Sequence, residues 1–336
     1  MKCLVLDYGG SAIKYGIMDD QSNLSHTGEV PAPRESLEQF IEVTGQIYDQ
    51  FKDEIEGIAM SFPGTLDIDT GILYGGGAYL HLLQNMSLYE VLKERCPVPI
   101  VVENDGKAAA LAEAWKGNLK DCQDGVASVL GTGIGGGIIK DGKIHRGKHF
   151  GAGEFSAVIT GGGSNFVTRA ATFTCSTEGI VERATIMKGA KKHDMLYMSM
   201  MGMSAPQYVD KLKAKAVGPQ YPDLEMNGFE LFRLLEEGDP DIKMLYDEFI
   251  PDNVHLIINV ANIYDPERIV IGGGISKEPR LIADLQAAVR EIEKMKYGLS
   301  VVTDIDVQPC FYRSSANLYG AMYNYLQRKA PELITH

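Results

Sequence analysis

No stretch of the sequence approaches the ~20 apolar residues in a row that a membrane-spanning helix needs. It does not open on a secretory leader either: the run Leu4-Val5-Leu6 is short and stops at Asp7, the pattern of a buried strand. A cytoplasmic protein with no membrane partner is the expectation. Cysteine is scarce and unpaired. Cys3, Cys96, Cys122, Cys175 and Cys310 are odd in number, widely scattered and without a CxxC pair, so neither a disulfide framework nor a closed zinc site is indicated and buried apolar fillers are expected. Basic residues are in deficit, 32 Lys and Arg against 45 Asp and Glu, for a formal charge of −13. Such a surface repels polyanions and makes nucleic acid a poor partner. A small phosphate-bearing ligand is not excluded, because backbone N–H groups and a magnesium ion can hold one without a basic surface. The string Gly-x-x-x-x-Gly-Lys-Ser/Thr is also missing, which rules out a Walker-type loop.

What is present is a chain of 336 residues, too long for one core and suited to two lobes with a cleft between them. Two segments resemble each other. Leu4-Val5-Leu6-Asp7, the turn Gly9-Gly10-Ser11, and Ile13, Tyr15 and Ile17 in alternation read as strand, glycine turn, strand. Ala127 to Leu130, the turn from Gly131 to Gly137, and Ile138-Ile139 repeat the plan. This internal duplication implies two related lobes facing one ligand. An amphipathic helix is expected from Ser36 to Lys52, capped by Ser36. Strands follow at 58–62 and 100–102, the second running through Glu103-Asn104-Asp105 into an alanine-rich helix from Lys107 to Trp115. Later come helical patterns at 229–236 and 252–263, a strand at 268–271, a helix at 279–296, a strand at 301–307 and a last helix at 315–329. Residues 187–227 are Met-rich and weakly periodic, and helices are assigned there. Strands alternating with helices predict a largely parallel α/β sheet.

Gly131-x-Gly133-x-x-Gly136 matches a dinucleotide fingerprint by letter, but it leads into a strand where that motif must lead into a helix. Both glycine turns instead predict backbone N–H groups converging on phosphate oxygens, with Ser11 and Thr132 adding hydroxyls. Gly272-Gly273-Gly274, directly after an apolar strand, predicts a bare backbone against a purine ring.

The order Asp7-Tyr8-Gly9-Gly10-Ser11, Ser61-Phe62-Pro63-Gly64, Glu103-Asn104-Asp105, Leu130-Gly131-Thr132-Gly133, Gly151-Ala152-Gly153-Glu154 and Ile271-Gly272-Gly273-Gly274 resembles the ROK family (repressors, open reading frames, kinases). The resemblance implies an actin-like ATPase (ribonuclease H-like) fold, α/β, with mixed sheets flanked by helices in two lobes. Their expected bounds are 1–115, completed by a C-terminal helix at 313–330, and 116–312. It also implies an ATP-dependent kinase acting on the 6-hydroxyl of a hexose or hexoside, in a homodimer. By that resemblance Asp105 is the base, and Asn104, Asp105, Glu154, Glu182 and Gly64 are on the sugar side. Asp7, Gly9, Gly10, Ser11, Lys14, Gly131, Thr132, Gly133 and Gly272 to Gly274 are on the ATP side, with Asp7 holding Mg2+ directly or through water. A strand lysine such as Lys14 reads equally as solvated.

The chain departs from the family pattern where many members carry a histidine and a three-cysteine cluster that close a structural zinc site. Those positions read Ala157, Phe173, Cys175 and Ile180, and a site of four ligands is not available, so no zinc is expected. Glu182 aligns with the last glutamate of that cluster. Gly75-Gly76-Gly77 replaces bulkier residues beside the sugar, which hints at a large acceptor such as a β-glucoside. The rival expectation is a non-catalytic sugar-sensing regulator; the start at the first strand, with no helix-turn-helix ahead of it, and the acidity count against it.

Overall fold

Alternation of apolar and small residues in the first 31 residues builds three antiparallel strands, β1 (Lys2–Tyr8), β2 (Ala12–Asp19) and β3 (Leu24–Pro31). Two strands whose apolar runs are Ile58–Met60 and Ile100–Val102, β4 (Gly57–Phe62) and β7 (Ile100–Asn104), extend the sheet from β1 in parallel, since a strand buried on both faces needs no alternation. Between them lies a small ribbon of β5 (Thr65–Leu66) and β6 (Leu73–Gly75). The first sheet therefore runs β3-β2-β1-β4-β7. A second sheet is formed by β8 (Gly125–Leu130), β9 (Ile134–Lys140), β10 (Lys143–His145), β11 (Arg268–Gly272) and β12 (Val307–Pro309), in the order β10-β9-β8-β11-β12. In each sheet the third, second and first strands precede the fourth and fifth, which is the duplication that the repeated hairpin predicts.

The computed structural model describes residues 1–161, 166–192, 194–294, 304–312 and 315–334. They pack as two compact units, one of Met1–Ala127, Gly136–Gly153 and Cys310–His336, the other of Ser128–Gly135 and Glu154–Pro309. In the first unit the helix Leu37–Asp49 begins as expected, with Ser36 Oγ accepting from the Gln39 amide. The core there holds Leu4, Leu6, Phe40, Met60 and Val102, all without solvent exposure. The helix Ala316–Lys329 lies on the helix Asp105–Lys116, and a Cβ added at Gly320 would fall 1.7 Å from the Ala108 carbonyl oxygen. Small residues at that seam therefore serve close packing. Ser315 does not cap this helix; its hydroxyl donates to the Tyr312 carbonyl at 3.1 Å. Residues 313 and 314, part of the expected helix, lie outside the described residues.

In the second unit one helix spans Pro240–Tyr264, longer than the 252–263 pattern. Pro251 sits inside it, and Asp239 caps its start through the Asp241 and Ile242 amides. The Met-rich region holds the helices Leu196–Met201 and Ala205–Lys215. The expected strand at 301–307 is instead β12, starting at Val307; residues 301–303 lie outside the described residues, as do the last two of the helix expected at 279–296. All five cysteines are buried and unbridged. Among the described residues no helix is long and apolar enough to cross a membrane.

Candidate active site

Asp7 stands at the carboxyl end of β1, in register with Lys14 on β2 and Ser61 on β4. Its Oδ1 accepts from Ser61 Oγ at 3.1 Å and from Asn317 Nδ2 at 2.9 Å. Oδ2 takes no hydrogen bond among the described residues. Burial pushes the Asp7 carboxyl above the usual range, against the opposing pull of Asn317, Ser61 and Lys14. A magnesium ion bound with ATP typically uses one or two carboxylates plus phosphates and keeps several waters. A single carboxylate held by two donors on one oxygen fits that need. Lys14 is exposed on the same face of the ladder.

The end of β7 delivers two polar residues to a strand-to-helix junction. Asn104, not Asp105, is the N-cap: its Oδ1 accepts from the Lys107 amide at 3.1 Å. Its Nδ2 donates to the Gly64 carbonyl at 3.1 Å and to Asp105 Oδ1 at 3.0 Å. Asp105 opens the helix and accepts also from the Gly106 amide at 2.8 Å, where the helix N-terminus favours an anion. Asn104, Asp105 and Gly64 are thus brought together. Gly64 has φ +108° and packs backbone to backbone on the triple glycine: a Cβ there would lie 2.7 Å from the Gly76 carbonyl oxygen, and one at Gly77 2.4 Å from that of Pro63. Close packing thus accounts for Gly77, while Gly75 faces open space. Beneath them Glu103, fully buried, pairs with Arg146 at 2.5 Å, and Arg146 also donates to Asn324.

The two glycine turns share one hydrogen-bonding plan. In the first, the Gly9 carbonyl accepts from the Tyr79 hydroxyl at 3.1 Å, that of Gly10 from Arg34 at 3.1 Å, and that of Ser11 from the Ala32 amide at 2.9 Å. In the second, the Leu130 carbonyl accepts from Thr177 Oγ1 at 2.9 Å and that of Gly131 from the Glu178 amide at 3.3 Å. The Thr132 carbonyl accepts from the Tyr197 hydroxyl, and the Gly133 carbonyl from the Gly131 amide at 2.9 Å. Carbonyls point into protein, while the amides of Gly10, Ser11, Thr132 and Gly133 have no partner among the described residues, and neither have the Ser11 and Thr132 hydroxyls. Consecutive unengaged N–H groups form an anion-binding nest.

Gly273, with φ +95°, runs against the end of β8: a Cβ would lie 2.1 Å from the Leu130 carbonyl oxygen, so only glycine fits. This sets Gly272, Gly273 and Gly274 beside the turn Gly131-Thr132-Gly133. Glu154 is half-buried and precedes a short 3-10 helix at Phe155–Ala157. Glu182 is fully buried, and its carboxylate accepts from the Tyr197 amide at 2.9 Å and the Met198 amide at 3.2 Å. Burial first, and Glu178 nearby, push that carboxyl up. Those two amides engage the carboxylate at the start of the helix Leu196–Met201. At the zinc positions of the family, Ala157, Phe173 and Ile180 carry no ligand atom in their side chains. Phe173 and Ile180 are buried, and burial pushes the Cys175 thiol up to about 11. Sequence reasoning missed Asn317, Tyr79, Tyr197 and the Glu103–Arg146 pair, because nothing in a local pattern announces a partner dozens or hundreds of residues away.

A β-glucoside kinase of Listeria innocua is 30% identical over 335 residues, spanning 98% of this chain and 99% of its own. One from Klebsiella pneumoniae is 26% identical, spanning 97% of each. A solved structure of a ROK family protein from Streptococcus pneumoniae TIGR4 in complex with sucrose matches with a TM-score of 0.77 at 25% identity, over 98% of this chain and 100% of that one. The fold is that of the actin-like ATPases, with mixed sheets flanked by helices. The model of the ROK family matches residues 3–328, and with nearly every residue inside that match the chain belongs to the ROK family.

Proposed function

We propose that this ATP-dependent sugar kinase transfers the γ-phosphoryl group of Mg-ATP to the 6-hydroxyl of a hexose or, by preference, a β-glucoside. The observation that carries the reading is the two glycine turns, each of which has its carbonyls engaged and leaves two consecutive amides without a partner among the described residues, those of Gly10 and Ser11 in one and of Thr132 and Gly133 in the other, a feature suited to phosphate oxygens. In the proposed reaction Asp105 accepts the proton of the sugar hydroxyl as its oxygen attacks the γ-phosphorus, and ADP leaves. Positioning and charge stabilisation dominate such transfers. Asn104, tied to Gly64, orients Asp105 and meets sugar hydroxyls, with Glu154 as a further sugar contact. Asp7 holds magnesium, and Gly272 to Gly274 lie along the adenosine. Magnesium, when bound, neutralises charge on the phosphates. No zinc is required.

The β-glucoside preference draws on the named activity of the Listeria and Klebsiella relatives and on the open space at Gly75. A coupled ADP-release assay over glucose, N-acetylglucosamine, N-acetylmannosamine, cellobiose and aryl β-glucosides tests it. The expected result is the highest kcat/KM with a β-glucoside and a product phosphorylated at O6. Faster turnover of every free monosaccharide would overturn the preference, and no ADP release with any of them would overturn the acceptor class.

A further inference from the structure

We infer that two buried tyrosines, Tyr79 and Tyr197, are positioning residues that hold the phosphate-binding amides of the two glycine turns in place. The inference rests on the nucleotide reading of those turns. Tyr79 donates to the Gly9 carbonyl and Tyr197 to the Thr132 carbonyl. A peptide unit is planar, with its C=O and N–H pointing in opposite directions. Gripping the Gly9 oxygen therefore aims the Gly10 N–H outward, and gripping the Thr132 oxygen aims the Gly133 N–H outward. In both turns the residue that follows the gripped carbonyl is glycine, which resists rotation of the peptide least. A peptide turned over would present an oxygen where an amide should meet a phosphate.

The two devices are built from unrelated parts of the chain. Tyr79 has no solvent exposure, and its ring packs against Tyr8, Phe40 and Phe62 with centroids 5.7, 5.9 and 5.1 Å away. Tyr197 is 2% exposed, and its ring meets Phe173 edge to face at 5.7 Å. Its hydroxyl also lies 2.8 Å from Thr172 Oγ1, and its amide is fixed by Glu182 at 2.9 Å. Glu182 thus acts on the turn through Tyr197. That the same carbonyl-to-tyrosine link occurs once in each hairpin, on the peptide before a glycine, argues against a chance packing contact.

Tyr79→Phe and Tyr197→Phe keep the rings and remove only the donors. Each is expected to raise the KM for ATP about tenfold, in line with one lost hydrogen bond of ordinary strength. The sugar KM and kcat should stay within about twofold, the margin of an unperturbed site. Adenosine, which has no phosphates, should inhibit both variants and the wild type with the same inhibition constant. A purely structural role would not separate ATP from adenosine. Since the tyrosines hold different turns, either variant alone decides the matter if the other does not fold. An unchanged KM for ATP in an active variant overturns the role of that tyrosine. Absence of heat on titrating the wild type with Mg-ATP overturns the nucleotide reading, and this inference with it.

Discussion

At the scale of single residues, the candidate site holds its side chains in place by hydrogen bonds to neighbouring backbone and amide groups. Asp105 is held on Oδ1 by the Gly106 amide and Asn104 Nδ2, which sets its orientation. Asp105→Asn keeps the shape and removes the proposed base. Its kcat should fall by about 10²–10⁴, the range of general-base catalysis, with the sugar KM little changed. Steady-state kinetics at saturating ATP check this, and near-normal kcat would remove Asp105 from the chemistry. The strand-end positions of Asp7, Asn104 and Asp105 were legible because an apolar run and a following glycine bracket them. Asn317 was not, since it reaches Asp7 across 310 residues of sequence and sits in an unremarkable helical pattern.

At the scale of elements, buried charge ties helices whose sequence periods say nothing of one another. Lys188, at the end of the helix Thr177–Lys188, has no exposure and donates to Asp239 at 2.9 Å and Asp241 at 2.8 Å, at the start of the helix Pro240–Tyr264. Burial alone would raise the Asp241 carboxyl, but Lys188 and the Val217 and Gly218 amides outweigh it and hold the group below the usual carboxylate range. A carboxyl lowered by folding stabilises above its unfolded pKa, about 3.9, and that contribution is lost as the pH falls through the lower folded value. Asp241→Asn should therefore be less stable than wild type at pH 7 and lose less on acidification from pH 5 to pH 2. Urea midpoints across that range measure it, and parallel acid limbs would deny the carboxylate this role. A lysine between two aspartates is invisible to a reading by hydrophobic period, which treats all three as solvated.

At the scale of the whole molecule, magnesium and nucleotide should act together on stability. A ligand at about 100 times its Kd adds about 2.7 kcal/mol, and Mg-ATP should raise the midpoint of thermal unfolding by a few degrees in a chain of this size. Excess chelator should remove most of that shift, and an equal shift in chelator would show that Asp7 holds no metal. The central strands of each sheet, the duplicated glycine hairpin, the α/β class and the family were determined by the sequence alone, because each is written in neighbouring residues: alternation, apolar runs, and glycine where a turn needs it. Which way the turn amides face was decided only by tertiary structure. The donors that hold the Gly9 and Thr132 carbonyls come from 70 and 65 residues away. Glu182 likewise meets the Tyr197 and Met198 amides, partners that no spacing predicts. A side chain's neighbours along the chain fix its local conformation, whereas its partners across the fold fix what it is free to bind.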